Sequence, residues 1–489
     1  MVLSFSAARK GSRASLTSRR FAASIVTKGP RCAGAKKGGC PMEKNLCLIE
    51  GAEAFSKGEF DGVALENGCL VLEQTGSGYL QKGCYTSQLL RLPAFRQLVS
   101  SWNADTPAGT YIEVQARVLV EGQWSRWLSF GQWSPFIRRT SFSEKGPLAS
   151  VDTDLLQVDS EAGSKTAQLR VYLYTDSEQY SPQVRLLGVT VRPLNWEQKE
   201  GDPVLRQLYL PAYSQLNRDP AIGPVMCSAV TIAALVNRWG QDVLPEEVAR
   251  ICYDHAYQGF GNWSFSVAAA GCLGFRAYVA YLDLAGLRRE IYNGYSVGVS
   301  VRYTSDPETA QKENLPYLEG ASGTTKGHLM AVHGFCREKD VEYVLVNDSY
   351  ADSDDQAPRR YRLDQFLEAW QGRVAYIVHP KQKHGGWAAP QRVPAQLTAT
   401  GEVGSYLFEV KGRQQPLPAD FSGLAGGTLA YTIQDGVAYA TTAHKKFRYL
   451  QPDEKGGFSL PPEALETPER VTIYAVGPLG KTLVAERKG

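Results

Sequence analysis

Long apolar runs are missing from this sequence. No stretch approaches the ~20 consecutive apolar residues that carry a helix across a bilayer, so no helical membrane span is expected. Histidine is scarce, with six residues in 489, and none stands at a metal-type spacing from cysteine. The nine cysteines (32, 40, 47, 69, 84, 227, 252, 272 and 336) are odd in number and include no CxxC pair. That pattern excludes a complete disulfide framework and a local zinc motif, so no metal or other cofactor is expected and a reducing compartment is the simpler inference.

Acidic residues are absent from the first 42 positions, which hold nine lysines and arginines. Subtracting these nine from 53 leaves 44 basic residues against 50 acidic ones, a mildly acidic body with no nucleic-acid signature. A secretory signal core is missing too, because FAASIVT after Arg20 is short and polar. Residues 1–41 therefore read as a basic segment that is disordered or lies upstream of the native start, since MEKNLCLIEG from Met42 reads as an ordinary beginning. A cytoplasmic location is favoured, with an extracellular one as the alternative.

At 489 residues and 43% hydrophobic, the chain is too long for one ordinary core and should divide into roughly three domains. Residues 42–200 read as an all-β sandwich. In YIEVQARVLV, Ile112, Val114, Ala116 and Val118 alternate with Glu113, Gln115 and Arg117, and strand-like runs recur at LRVYLY and VRLLGVTV. Residues 203–382 change character. A helix is expected from Ser228 to about Trp239, a second opens at Pro245 and ends near His255 on the surface, and strands at 296–303, 328–335, 342–348 and 373–379 form an antiparallel meander. That is an α+β domain. Residues 383–396 read as a linker and 397–489 as a small all-β domain, with TLAYTI and VAYATT flanking an Asp435-Gly436 hairpin turn.

One cysteine stands out in the middle domain. A thiol becomes a useful nucleophile when a helix N-terminus and a neighbouring imidazolium stabilise its thiolate, and Cys227 opens the apolar helix in GPVMCSAVTIAALVNRWG. Taken alone, the stretch is more often a core helix with an inert thiol. In HLMAVHGF, strand alternation puts His328 on one face with Met330 and Val332, and His333 on the other with Leu329 and Ala331. Only one of the two can face a helix packed on that sheet, and Gly327 allows close approach beside His328. Further on, EYVLVNDSY brings Asn347 and Asp348 to a strand end, where one of them can orient an imidazole.

Taken in order, Gln215 in PAYSQLN, Cys227 before a helix ending NRWG, TTKGHLMAVHGF, VLVNDSYAD and YRLDQFLEAW before RVAYIVHP resemble the papain-like cysteine peptidases of family thirty-nine. That family includes the bacteriocin-processing, double-glycine leader peptidases. The likeness spans about residues 205–380. It implies a papain-like domain in which Cys227 is the nucleophile, His328 the general base, Asp348 its orienting partner and Gln215 a side-chain donor to the oxyanion hole. Many relatives read Gly-Cys-Gly-Pro around the nucleophile, whereas this chain reads Val225-Met226-Cys227-Ser228-Ala229. The double-glycine specificity does not transfer, and the segment 304–326 is read as a loop over the cleft.

The expected activity is cleavage of a peptide or isopeptide bond in a peptide or protein substrate. The alternative is a catalytically silent protein whose β-sandwich binds glycan or another polymer. Trp102, Trp124, Trp127 and Trp133 bear on that choice. Burial is the usual fate of large aromatics, and exposed ones would instead offer faces for sugar rings.

Overall fold

The structure, a computed structural model, describes residues 45–241 and 243–380 together with short strand segments between 382 and 486. The basic segment 1–41 lies outside the described residues, as does most of 383–396 and 397–489. The turn expected at Asp435-Gly436 also lies outside the described residues. Thr428–Ala430 pairs with Gly457–Ser459, and Val437–Thr441 lies between Phe447–Tyr449 and Thr472–Gly477.

From Leu46 to Pro193 the chain is almost entirely antiparallel strand. The alternation in Thr110–Val120 is realised as expected: Ile112, Val114, Ala116 and Val118 are fully buried. The long strand Leu90–Asp105 pairs with Ser164–Thr175 near its start and with Gln183–Pro193 along the rest, tying the β unit together. Trp102 and Trp133 are buried in its core. Trp124 and Trp127 are half-buried, and guanidinium groups cover them. Arg117 lies 4.5 Å from the Trp124 ring centroid and 4.6 Å from that of Trp127, on which Arg170 also stacks at 4.4 Å. Arg117 donates to Gln168 and Arg170 to Gln115, so this ladder is held from within.

Beyond Arg206 the strands form a second sheet in the order Arg276–Tyr281, Val374–His379, Val297–Thr304, Thr324–Glu338, Val341–Asp348, Pro358–Arg362. The expected meander holds for its first three strands. The last strand returns after the helix Leu363–Ala369 and inserts between the first two, where both of its edges find partners. Helices Cys227–Asn237, Pro245–Cys252 and Trp263–Cys272 share a core with Leu329 and Ala331, while Leu284–Asn293 and Leu363–Ala369 share the opposite core with Met330 and Val332.

Two helices differ from expectation. Pro245–Cys252 is buried along nearly its whole length rather than lying on the surface, and His255 follows it in a loop. Trp263–Cys272 has no apolar stripe because it is apolar all round, the composition of a helix buried on every side. It packs against the β unit: Phe265 meets Trp102 edge-on at 6.0 Å, and Ser264 donates to the Ser100 carbonyl.

The strand Arg276–Tyr281 is the edge of the second sheet, and its outer backbone groups meet side chains instead of another strand. Ala277, Val279 and Tyr281 donate their N–H groups to Asn103 Oδ1 (3.0 Å), Ser101 Oγ (2.9 Å) and Thr190 Oγ1 (3.1 Å). In return, the carbonyls of Ala277 and Tyr281 accept from Asn103 Nδ2 (2.7 Å) and Asn45 Nδ2 (3.0 Å). An unpaired edge is thereby closed. Asn103→Ala would leave both polar groups of Ala277 buried without a partner, at roughly 1–3 kcal/mol each. A loss of about 2 to 4 kcal/mol in urea denaturation is expected, and a loss below about 0.5 kcal/mol would show that the ladder contributes little.

Candidate active site

The thiol of Cys227 is placed by what precedes it. A short 3₁₀ turn, Gly223–Val225, leads into the helix, whose first turn carries no acidic residue and no side-chain cap. The first N–H groups and the positive end of the helix dipole are therefore left for a thiolate. Gly223 is required here: a Cβ at that position would sit 2.5 Å from the Gln215 carbonyl oxygen. The Gln215 loop is thus pressed directly onto the turn that presents the thiol.

His328 lies in the strand Thr324–Glu338 and Asp348 ends the neighbouring strand, opposite Met330. The His328 ring bonds through Nε2 to Asp348 Oδ1 at 2.8 Å, leaving Nδ1 for the thiol. Asp348 is fully buried. It accepts from the Tyr361 hydroxyl (2.8 Å) and the Tyr350 N–H (3.1 Å), and Arg359 stands 3.8 Å away. Burial alone would raise the Cys227 thiol, but its hydrogen bond to His328, the ring's charge and the backbone N–H groups of Leu329 and Ser228 bring it below the ordinary value of 9.0. Burial opposes the charged form of His328, and the negative charges of Asp348 and Cys227 override it, raising the ring well above its usual value. Asp348 is also resisted by burial and is held low by His328, Tyr361 and Arg359. The Cys227 and His328 shifts both act in the direction of a thiolate beside an imidazolium.

Gln215 is buried within reach of the same site. Its Nε2 donates to the Pro224 carbonyl (2.9 Å) and its Oε1 accepts from Ser349 Oγ (2.7 Å), which fixes the amide orientation and leaves one Nε2 hydrogen. Cys227, His328 and Gln215 line one cleft of about 1110 Å³. The segment expected to overhang it contains a helix, Pro307–Glu313, and its end, Ser322–Lys326, forms part of the wall.

Residues 47–191 match the peptidase C39 N-terminal domain, of actinobacterial type, and residues 207–377 match the Peptidase_C39-like family. This chain is a C39-like, papain-like peptidase. No curated protein sequence matches it. Solved structures similar to parts of it include TmCBM61 in complex with beta-1,4-galactotriose, at 10% identity over 31% of this chain and 85% of that one, TM-score 0.16. Another comes from work on endo-acting O-glycanases of human gut microbiota that initiate mucin breakdown, at 10% identity over 32% and 96% of the two chains, TM-score 0.19. A third is the Clostridium thermocellum xylanase 10B CBM22-1–GH10 modules complexed with xylohexaose, at 10% identity over 35% and 30%, TM-score 0.15.

The structure separates the pairs that alternation left open. His328, not His333, couples to the thiol, although Leu329 and Ala331 on the other parity share the core with the Cys227 helix. His333 instead bonds through Nδ1 to the Leu208 carbonyl (3.2 Å), and Asn347 donates to that of Pro211 (3.0 Å). Both pin the segment that leads to Gln215. Tyr361, Ser349 and Arg359 are partners that sequence reasoning missed. Ser349 adjoins Asp348 in the motif, whereas Tyr361 and Arg359 arrive on a separate strand, Pro358–Arg362. Met226 and Ser228, the departures from the common family pattern, are both buried, and Ser228 Oγ bonds Ser266 Oγ (2.8 Å) and the Tyr376 hydroxyl (2.9 Å).

Thiolate absorbance near the ultraviolet edge measures the coupling. The Cys227 contribution is expected to titrate below 9.0 in the parent and to move upward in His328→Ala, because the group that favours the charged form is gone. An unchanged titration in that variant would sever the pair.

Proposed function

We propose that this chain is a cysteine-type peptidase, built on an α+β papain-like core, that cleaves peptide or isopeptide bonds with Cys227 as nucleophile. The observation that carries the reading is geometric: Cys227 at the helix start and His328, bonded to the buried Asp348, line one cleft with Gln215. In this reading residues 42–200 and 203–382 are the two domains of the enzyme.

The thiolate attacks the substrate carbonyl and a C–S bond forms. The developing oxyanion is met by the backbone N–H of Cys227 and the remaining Nε2 hydrogen of Gln215. Collapse expels the amine, which takes its proton from the His328 imidazolium, leaving an acyl-thioester. Neutral His328 then accepts a proton from water as it attacks, and the acid departs with the thiolate restored. An amine in place of water would give acyl transfer through the same groups.

Labelling with iodoacetamide provides the first test. Burial pushes Cys252 and Cys272 up to about 12 and also raises Cys47, Cys84 and Cys336, so Cys227 should react fastest among these and should slow sharply in His328→Ala. Equal labelling of these cysteines, indifferent to that substitution, would remove the catalytic claim. Once a cleaved peptide is in hand, Gln215→Ala should lower kcat on the order of 10² to 10³ with little change in thiol reactivity. Glycan affinity that survives Cys227→Ala, in a parent that hydrolyses nothing, would favour the silent binding alternative.

A further inference from the structure

The cleft that holds Cys227 is not made by the peptidase domain alone. One wall is the β-hairpin Ala149–Val158 of the N-terminal domain, whose tip contributes Asp154 to the same cavity. Asp152 pairs with Leu155, so the turn is only Thr153-Asp154, and Thr153 adopts φ +61°, a conformation that a β-branched residue rarely takes. The turn places the Asp154 carboxylate over the start of the helix Trp263–Cys272, where it accepts the Trp263 N–H.

This carboxylate is unusual among the charged groups of the cleft. Asp154 is 8% exposed, yet its hydrogen bonds come from backbone N–H groups, those of Trp263 and of Asp154 itself, and no ion pair to it occurs among the described residues. The nearest charges acting on it are the carboxylates of Asp254 and Asp152, which compound its burial and push it up to about 7. The other charged lining groups are placed differently. Lys326 is 81% exposed and pairs with Glu313, Lys145 is exposed, and Asp152 is exposed and bonded by Ser143. A buried carboxylate is ordinarily paired or neutralised, and an ionised one accepts about four hydrogen bonds. Asp154 therefore has vacant acceptor capacity facing the cleft, and a cation arriving there would favour its charged form.

We propose that the N-terminal hairpin is a substrate-binding wall, and that Asp154 receives a cationic side chain, lysine or arginine, of an extended polypeptide whose scissile bond lies at Cys227. The proposal rests on the peptidase reading of that site. The cleft, at about 1110 Å³, slightly exceeds the range of small-molecule pockets and has room for several residues of such a segment. The side-chain ladder between Asn103, Ser101, Thr190 and the strand Arg276–Tyr281 holds the two walls in one arrangement, so the hairpin is already in place for the substrate.

The test separates binding from chemistry. Full-length protein carrying Cys227→Ala is titrated, by fluorescence anisotropy, with labelled peptide libraries in which one position holds lysine or its neutral isostere norleucine. Lysine should tighten binding about tenfold at one position, the scale of a charge-assisted contact. Adding Asp154→Asn, which keeps an oxygen for the Trp263 N–H, should bring that ratio close to one. The variant Asp154→Glu, which retains the charge, should keep part of it, and thermal denaturation shows whether each variant folds. No lysine preference at any position, or a preference that survives Asp154→Asn, overturns the proposal. Failure of iodoacetamide to select Cys227 would overturn the peptidase reading instead, and the two failures are read on different experiments.

Discussion

The arrangement of this molecule depends on one constraint: the edge strand Arg276–Tyr281 has backbone groups that must be paired, and only side chains of the N-terminal domain are there to pair them. Asn103 meets both the N–H and the carbonyl of Ala277, as a neighbouring strand would. The fit extends beneath it, since a Cβ at Gly271 would sit 2.6 Å from Asn103 Nδ2. The helix Trp263–Cys272 can therefore come close only because position 271 has no side chain. Once the edge and this helix are docked, the hairpin at Asp154 has a fixed place beside the cleft, and the β unit becomes part of the site rather than an appendage.

Within the peptidase domain, alternation along two strands is used twice. One parity supplies His328 and Asp348, which face each other diagonally across the pairing of Met330 with Asp348. The other supplies His333 and Asn347, whose rings and amides hold the carbonyls of Leu208 and Pro211. The backbone N–H of Gln215 in turn bonds the Ser349 carbonyl at 2.8 Å, directly after Asp348. Gln215 and Asp348 are thus fixed to the same strand end. A shift of that strand would disturb both together.

Much of this was legible in the chain and some of it was not. The strand pattern of Thr110–Val120 follows from periodicity, because it buries a single regular set of side chains, and the helix after Cys227 was legible as an unbroken apolar run closed by Gly240. The helix Trp263–Cys272 escaped because burial on every side erases the stripe that periodicity detects. Parity alone would also have favoured His333, since its face packs on the Cys227 helix. The ring that reaches the thiol sits instead where the pairing with Val297–Thr304 becomes irregular, between Val301 and Tyr303. Such a bulge re-aims a side chain and leaves no mark in composition. Asp154 was invisible for a different reason. It stands in another domain, and nothing in its local sequence points to the cleft.

The residues around Cys227 that depart from the common family pattern find their explanation in packing. Met226 fills the core directly before the thiol. Ser228, one residue after it, enters a buried chain of hydroxyls with Ser266 and Tyr376 that joins the Cys227 helix to the helix Trp263–Cys272 and to the strand Val374–His379. Hydroxyl-to-hydroxyl bonds in a buried setting are directional and costly to leave unmade, so they fix rotation about the helix axis in a way that apolar contact would not. Cys227, packed against the edge of that core, is then held toward His328. The same helix Trp263–Cys272 receives Ser228 on one side, Asn103 beside Gly271 and Asp154 at its start. Through it, the position of the thiol and the position of the N-terminal hairpin are set by one rigid element.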